Sequence, residues 1–202
     1  MKDKILSLFC KSADLLIFGI TMQREEDFRK LYNEFNVLVY NLALHYVQNP
    51  EDAADITQES FIRIHQHLHR HNPEQASLKT WISRITINQC LDFLRKKKSK
   101  KRFGFLQSLF SGTEKEPEAA IQVNHPGIIT ENKEELQSLL SMINELPENQ
   151  RTALILMKIE ERSQKETAEI MQISPKAVES LLQRARQNLE KKWNSRKGLA
   201  GK

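Results

Sequence analysis

The chain of 202 residues has few cysteine, glycine and aromatic residues, on which several large protein classes depend. It contains two cysteines, Cys10 and Cys90, which form no CxxC pair and no Cys/His cluster with the spacing of a zinc site. Glycine occurs only six times and aromatic residues make up 7% of the sequence, which speaks against a β-sandwich or barrel. Two isolated thiols are typical of a reduced protein in the cytoplasm.

Long apolar runs and catalytic motifs are also missing. Residues Leu15–Ile20 resemble the core of a short signal peptide, but no small-residue cleavage site follows them, and a membrane span needs roughly 20 apolar residues. Either Met1 or Met22 can be the initiator. The chain has no phosphate-binding glycine loop, GxSxG or HExxH motif. We therefore expect a protein that is not an enzyme, binds no metal or other cofactor and is not inserted in a membrane.

The charge pattern indicates a nucleic-acid partner. The chain has 31 Lys and Arg against 26 Asp and Glu, a formal net charge of +5. Basic residues concentrate in the block Arg95–Arg102 and again after Arg184. Clustered bases of this kind can hold phosphates, whereas a net positive charge says nothing about the fold.

Apolar residues recur every three or four positions over most of the chain, which predicts helices. These helices are expected at about residues 25–47, 50–68, 77–98, 131–144, 147–159, 164–171 and 175–193. The sequence thus predicts an all-α protein of two small helical domains joined by a flexible linker. The expected divisions are a helical arm (1–22), a first domain (23–102), the linker (103–130) and a second domain (131–197).

The last two predicted helices have the signals of a helix-turn-helix. Ser163 is a good N-cap, and Glu166 three residues later completes a capping box. Ser174 caps the next helix, and Pro175 occupies its first position, where no N–H is needed. The early residues of such a second helix contact base edges in the major groove. The outward candidates on that helix are Lys176, Glu179, Ser180, Gln183 and Arg184.

Three other patterns leave alternatives open. The acidic face Asp52, Asp55 and Glu59 would repel DNA, so it is either a protein-binding surface or a plain solvated face. The histidines at positions 65, 67, 69 and 71 form i, i+4 pairs without a suitably spaced third ligand, which disfavours a metal site. The helix carrying Arg84, Asn88 and Arg95 can hold single-stranded DNA, with Trp81 assigned to the apolar stripe.

Four segments in order resemble the extracytoplasmic-function (ECF) group of bacterial sigma factors, in the sigma-seventy family. They are DLLIFGITMQREEDFRKLYNEF, PEDAADITQESFIRIH, LKTWISRITINQCLDFLRKKK and the stretch from LPENQR to QRARQNL. The resemblance covers about residues 12–193. It implies two helical domains, a cytoplasmic location, and transcription initiation at specific promoters in response to an envelope or extracellular signal. The implied partners are core RNA polymerase, promoter DNA in duplex and melted form, and an anti-sigma factor.

The same resemblance assigns roles to residues at the matching positions. Core polymerase would be bound through Asp52, Asp55, Gln58, Glu59 and Phe61. The minus-ten promoter element would be contacted by Asn72, Lys79, Arg84, Asn88, Arg95 and Lys97, with Asn88 holding a flipped base and residues 72–79 forming a specificity loop. The minus-thirty-five element would be read by the five outward residues of the helix-turn-helix.

The chain departs from the family pattern on the second helix of the helix-turn-helix, which by the resemblance would read the minus-thirty-five element. Lys176 stands where glycine is frequent, and Glu179 and Leu181 stand where basic residues are frequent. Glu179 can accept a hydrogen bond from cytosine but repels phosphate. The apolar residues between Phe103 and Phe110 are candidates for contact with an anti-sigma factor or the polymerase exit channel.

Two other functions compete with this interpretation. One is a conventional regulator with a ligand-sensing N-terminal domain, against which stands the lack of a heptad pattern for a palindrome-reading dimer. The other is a nuclease that uses Asp52, Asp55 and Glu59 as metal ligands. These carboxylates lie on one helix with no partner motif elsewhere, which argues against it.

Overall fold

The computed structural model describes the backbone of residues 2–111 and 133–200 and the side chains of residues 25–100, 135 and 138–196. Within these ranges all regular structure is helical, which confirms the predicted fold class. The helices are α1 (Lys2–Val47), α2 (Pro50–His67), α3 (Leu78–Ser111), α4 (Lys133–Asn144), α5 (Glu148–Leu154), α6 (Gln164–Met171) and α7 (Pro175–Ala200). A 3₁₀ turn at Leu68–Arg70 follows α2, and a π-helical turn at Ile155–Ile159 follows α5.

The junction between α1 and α2 follows from three neighbouring residues. Gln48 adopts a left-handed conformation with φ of 56°, which ends α1. The side chain of Asn49 then accepts a hydrogen bond from the backbone N–H of Asp52 at 2.8 Å. Pro50 occupies the first turn of α2, as the sequence predicts.

Two helices are longer than predicted. The backbone of α1 is helical from Lys2, so the predicted arm is part of the same helix. The backbone of α3 continues to Ser111, through the basic block and past Gly104. Lys and Arg favour helices, and one glycine in a helix costs only about 1 kcal/mol relative to alanine, so Gly104 does not end α3. Helix α3 thus extends into the segment predicted as linker, whose remaining residues 112–130 lie outside the described residues.

The chain divides into two compact units, residues 1–37 and residues 38–202. In the first unit, the described part of α1 carries exposed i, i+3 and i, i+4 ion pairs from Lys30 to Asp27 and Glu26. Such pairs on a solvated helix stabilise it only slightly.

The second unit has a core to which both predicted domains contribute. Its largest described cluster joins the end of α1, α2 and α3 with residues of the π-helical turn and α6. The buried members from the C-terminal side are Ile155, Leu156 and Ile170. A smaller cluster lies within the C-terminal helices and contains Ile143, Leu146, Leu154 and Ala185. Residues 38–100 and 138–196 are therefore packed together through shared apolar side chains.

Candidate nucleic-acid and protein interfaces

The helix-turn-helix is built by local capping, as predicted. The Ser163 hydroxyl accepts from the backbone N–H of Glu166 at 3.2 Å, and the Ser163 N–H donates to the Glu166 carboxylate at 2.9 Å. Hydrogen bonds from the Ser163 side chain and backbone lower the pKa of the Glu166 carboxyl. Gln172 closes α6 in a left-handed conformation with φ of 56°. These contacts fix the angle at which the chain enters α7.

Helix α7 starts at a second serine cap. The Ser174 hydroxyl accepts from the backbone N–H of Ala177 at 3.2 Å, and the Gln164 side chain donates to the Pro175 carbonyl at 2.7 Å. Val178 and Ala185 are fully buried and hold the helix against its neighbours. The predicted contact residues lie on the outward side, with Ser180 half-buried and four exposed: Lys176, Glu179, Gln183 and Arg184.

An apolar hollow lies beside this surface. It is lined by Met171 and Ile173 at the turn and by Leu181 and Arg184 on α7. Because Leu181 lines this hollow, part of the surface next to Arg184 is apolar rather than cationic.

The acidic surface of α2 is exposed in part. Asp55, Gln58 and Glu59 are exposed, and Glu59 lies 3.8 Å from the Arg63 guanidinium. Asp52 instead accepts from the Lys97 ammonium at 2.8 Å. Phe61, which the resemblance placed among the polymerase contacts, has only 4% of its surface exposed and belongs to the core. In this conformation its side chain anchors α2 rather than offering a contact surface.

The loop before α3 is held in shape by its own side chains. The Asn72 carboxamide oxygen accepts from the Glu74 N–H at 3.0 Å, and Ser77 caps α3 through the Thr80 N–H at 3.1 Å. A ring nitrogen of His71 lies 3.0 Å from the Ala76 carbonyl oxygen, so this nitrogen carries the proton and donates. Asn72 and Lys79 remain exposed. In the sequence, His71 stood out only as one of four alternating histidines weighed as metal ligands. Its contact with Ala76 was not predicted.

The His71 ring also lies next to Trp81. Their ring centroids are 5.4 Å apart with the planes tilted by 57°. Trp81 is half-buried, so it borders both the core and the loop rather than lying wholly in the apolar stripe. The pair connects the loop to the first turn of α3.

Three of the predicted DNA-binding cations on α3 are engaged with other parts of the protein. Arg84 donates twice to the Glu169 carbonyl oxygen, at 2.8 and 3.2 Å. Arg95 makes a bidentate pair with Glu148, with nitrogen–oxygen distances of 3.0 and 2.6 Å. This pairing raises the pKa of Arg95 and lowers the pKa of Glu148.

The third engaged cation is Lys97, which is bonded to Asp52 of α2. Its ammonium also lies 5.7 Å from the centre of the Phe93 ring. Asn88, between these cations on α3, is exposed. The structure therefore places Asn88 at the surface and Arg84, Arg95 and Lys97 in contacts within residues 38–202.

A polar seam, meaning a row of buried or half-buried polar contacts between the end of α1 and residues 140–160, was not predicted from the sequence. Arg151 has 5% of its surface exposed, and its guanidinium lies 5.8 Å from the centre of the Tyr46 ring. Burial lowers the pKa of Arg151 and raises that of Tyr46. Burial also raises the pKa of the nearby Cys90 thiol to about 12. In the sequence Arg151 follows the polar residues Glu148–Gln150, and an arginine in such a position is ordinarily read as a surface residue.

Hydrogen bonds continue this seam. His45 lies 2.7 Å from the Glu160 carboxylate. The Gln48 side chain accepts from the Asn144 side chain at 2.9 Å and donates to the Leu140 carbonyl at 3.2 Å. The seam therefore joins the end of α1 to α4 and to the residue after the π-helical turn.

The described residues contain neither a cluster of metal ligands nor a helix that could cross a membrane. In that part of the chain, no three His, Cys, Asp or Glu residues are grouped in a way that could hold a metal ion. None of its helices combines the length and the apolar character that crossing a membrane requires.

Two family models match the chain. Residues 31–100 match Sigma-70 region 2, and residues 136–189 match Sigma-70, region 4. The first range contains the acidic surface of α2, the loop at residues 71–77 and the described cations of α3. The second contains the helix-turn-helix.

Curated relatives match over most of their length. The ECF RNA polymerase sigma factor SigM of Bacillus subtilis is 30% identical over 167 residues, which cover 82% of this chain and 94% of SigM. The ECF RNA polymerase sigma factor SigW of the same organism is 28% identical over 171 residues, covering 83% of this chain and 89% of SigW.

Solved structures share the fold. The sigma factor RpoE from Bartonella quintana, solved with the anti-sigma factor NepR, matches with a TM-score of 0.60 and 21% identity, covering 84% of this chain and 98% of RpoE. CnrH, solved with the cytosolic domain of CnrY, matches with a TM-score of 0.57 and 20% identity, covering 85% and 90%.

Proposed function

The chain belongs to the ECF group of RNA polymerase sigma factors, and from this premise we propose that it binds core RNA polymerase and directs initiation at specific promoters. One observation carries the proposal. An exposed acidic surface on α2, an exposed amide on α3 and a capped helix-turn-helix occur in one chain, each within the family segment to which its role belongs.

The polymerase contact is assigned to the acidic surface of α2. Asp55, Gln58 and Glu59 are exposed there, and the carboxylates of Asp55 and Glu59 repel DNA but complement a basic protein surface. Asp52 joins them once Lys97 is drawn away by DNA phosphate. Phe61 acts from the core by keeping α2 in place.

Minus-ten recognition is assigned to the loop and to α3. An exposed amide such as Asn88 can hydrogen-bond an extruded base, while Arg84, Arg95 and Lys97 hold the strand by its phosphates. The loop carrying Asn72, which leads into Lys79 in the first turn of α3, is already shaped by His71 and Ser77, so little ordering is needed when a base enters beside it.

Minus-thirty-five recognition is assigned to the outward side of α7. Gln183 and Arg184 suit bidentate contacts to adenine and guanine, and Glu179 suits a cytosine amino group. Ser180 and Lys176 add contacts to base or phosphate. The neighbouring apolar hollow favours a thymine methyl group at the adjacent position.

Regulation by an anti-sigma factor belongs to the same proposal. RpoE and CnrH, whose folds this chain shares, were each solved with a partner, in the case of RpoE an anti-sigma factor. The protein has no catalytic role of its own in this scheme, and it acts in the cytoplasm, where core polymerase and the promoter are found.

Run-off transcription tests the function directly. Purified core polymerase is given a library of genomic promoter fragments, with and without this protein. Discrete start sites that depend on the protein are expected, and their upstream sequences give both promoter elements. Absence of initiation together with duplex binding by the protein alone would favour a conventional regulator instead.

A further inference from the structure

The loop before α3 is a compact turn organised by one residue. The Asn72 carbonyl accepts from the backbone N–H groups of Gln75 and Ala76 at 3.1 and 3.3 Å. The Asn72 side-chain oxygen accepts from the N–H of Glu74 at 3.0 Å, as asparagine commonly does in turns. These bonds give residues 72–76 their shape, but none of them reaches α3, so they do not determine where the turn lies on that helix.

The side chain of His71 connects the turn to α3. Its Nε2–H group donates to the Ala76 carbonyl at 3.0 Å, and its ring lies against that of Trp81, with 5.4 Å between the centroids. Ala76 directly precedes Ser77, whose hydroxyl caps α3. One side chain therefore contacts both the last residue of the turn and the helix on which the turn lies.

The face of α3 that begins at Trp81 also carries the amide proposed to hold the extruded base. Asn88 lies seven residues after Trp81, which is about two helical turns and about 10 Å along the axis, and residues at this spacing share a helix face. Trp81 is half-buried and Asn88 is exposed, so solvent reaches this face at both positions. The place of the loop relative to Asn88 is therefore determined through the two contacts of His71.

We propose that His71 is a positioning residue for minus-ten recognition. Its hydrogen bond to Ala76 holds the loop at residues 72–77 in one place relative to Asn88, and this sharpens the choice of the extruded base. A loop held in one place offers one set of contacts, whereas a loop that can shift adapts to a wrong base as well. The inference rests on the proposed function, because it concerns the loop and the amide assigned to that promoter element.

Histidine combines two properties that other side chains supply separately. An imidazole has an N–H donor at its far end and a flat ring that packs against an aromatic neighbour. Phenylalanine keeps the ring but has no donor, and glutamine has an amide donor at a similar reach but no ring. Substitution of His71 by each of them therefore separates the hydrogen bond to Ala76 from the packing on Trp81.

The experiment measures base discrimination by the assembled holoenzyme, formed with the native chain, His71→Phe or His71→Gln. Four single-stranded minus-ten oligonucleotides are identical except for the base assigned to Asn88, and their dissociation constants are compared by fluorescence anisotropy. Their common sequence comes from a promoter found by run-off transcription. His69→Ala is the matched control, since His69 is exposed and its ring accepts from the adjacent Arg70 rather than bonding to the loop.

Trp81 fluorescence reports the packing of His71 without polymerase. Trp81 and Trp193 are the two tryptophans of the chain, so a Trp193→Phe background leaves Trp81 as the reporter. Quenching by acrylamide should be unchanged in His71→Phe, where a ring still covers Trp81, and should increase in His71→Gln. Melting followed by circular dichroism checks that every variant is folded.

We expect the preference for the best base to fall about two- to tenfold in His71→Phe, the range that corresponds to one hydrogen bond. His71→Gln should keep most of the preference although Trp81 becomes more accessible, because its amide can still donate to Ala76. His69→Ala should match the native chain in both base preference and quenching. A role in packing alone predicts the opposite order, with the preference kept in His71→Phe and lost in His71→Gln.

Failure of this inference and failure of the proposed function give different results. An unchanged base preference in His71→Phe, or an equal loss in both His71 variants, would overturn the inference and leave the proposed function standing. Acrylamide quenching that is the same in His71→Gln as in the native chain would also overturn it. A native chain that forms no holoenzyme, or that binds the four oligonucleotides alike, would overturn the proposed function and this inference with it.

Discussion

Replacing Ser163 by alanine removes the cap of α6, and the structure gives the size of the effect. Ser163 satisfies the Glu166 N–H with its hydroxyl, and that hydroxyl also donates to the Glu166 carboxylate at 2.7 Å. Loss of a serine N-cap typically lowers the free energy of unfolding by about 1 kcal/mol. In a chain of this size that corresponds to a fall of about 2–4 °C in melting temperature.

The effect should depend on pH in a defined direction. The Ser163 hydrogen bonds lower the pKa of Glu166, so their contribution to stability is present above the carboxyl pKa of the unfolded chain. It is lost as the pH falls through the lower pKa of the folded state. The stability difference between the native chain and Ser163→Ala should therefore be larger at pH 7 than at about pH 3.5, without vanishing, because the N–H bond remains.

Urea unfolding followed by circular dichroism at both pH values measures the difference. Ser195→Ala is the matched control, since that hydroxyl bonds only to the Lys191 carbonyl inside α7 and caps nothing. Its effect should stay within about 0.5 kcal/mol. A Ser163→Ala difference no larger than that of the control, or one that is the same at both pH values, would refute the capping argument.

Three substitutions separate the proposed surfaces. Asn88→Ala should reduce promoter opening about tenfold in a permanganate footprint, because a base contact is lost. Polymerase affinity should stay unchanged, because α2 is intact. Equal losses of promoter opening and polymerase affinity would contradict the role of Asn88 in holding a flipped base. Asp55→Arg should weaken binding to core polymerase about tenfold in a pull-down titration, since it places a cation on a surface proposed to meet basic groups; native affinity would remove α2 from the interface. Arg184→Ala should weaken duplex affinity about tenfold and relax the preference for guanine at one position of the minus-thirty-five element. An unchanged base preference in a binding titration would show that Arg184 reads no base.

Local signals made most helix starts predictable. Asn49-Pro50, Ser163 with Glu166, and Ser174-Pro175 each determine a helix start through backbone groups within three residues, so no distant contact is needed to recognise them. The structure places α6 and the start of α7 at the predicted residues. The buried apolar residues of α2, Ala53, Ile56, Phe61 and Ile64, follow a single helical stripe, which is the periodicity that predicted this helix.

The environment of α3 was not predictable in the same way. Thr80, Ser83, Thr86 and Gln89 are polar, yet they are buried, because α3 is packed by α6 on one side and by α2 on another. Periodicity identifies one apolar stripe per helix and carries no information about a second packed face that is polar. For the same reason the partners of Arg84 and Arg95, which lie 85 and 53 residues away in sequence, were beyond local reasoning.

The sequence predicts which helices carry the assigned interface residues better than it predicts the role of each residue. Motif position predicts interfaces on α2 and α7, where Asp55, Glu59, Lys176 and Gln183 are exposed. The same motif cannot distinguish a residue that touches a partner from one that supports the helix, and Phe61 is of the second kind in this structure. Arg151 was missed because its burial depends on Tyr46, more than a hundred residues earlier.

The contacts between residues 38–100 and 138–196 belong to a single polypeptide, and this determines how they respond to protein dosage. Two parts joined by a chain meet at an effective concentration set by the connection, not by the number of molecules in the cell. A separate inhibitor is fully bound once its target molecules outnumber it, so the excess target is not inhibited. An internal contact is instead present once in every molecule. Overproduction of this protein would therefore titrate an external inhibitor but leave the fraction of chains in the packed arrangement unchanged.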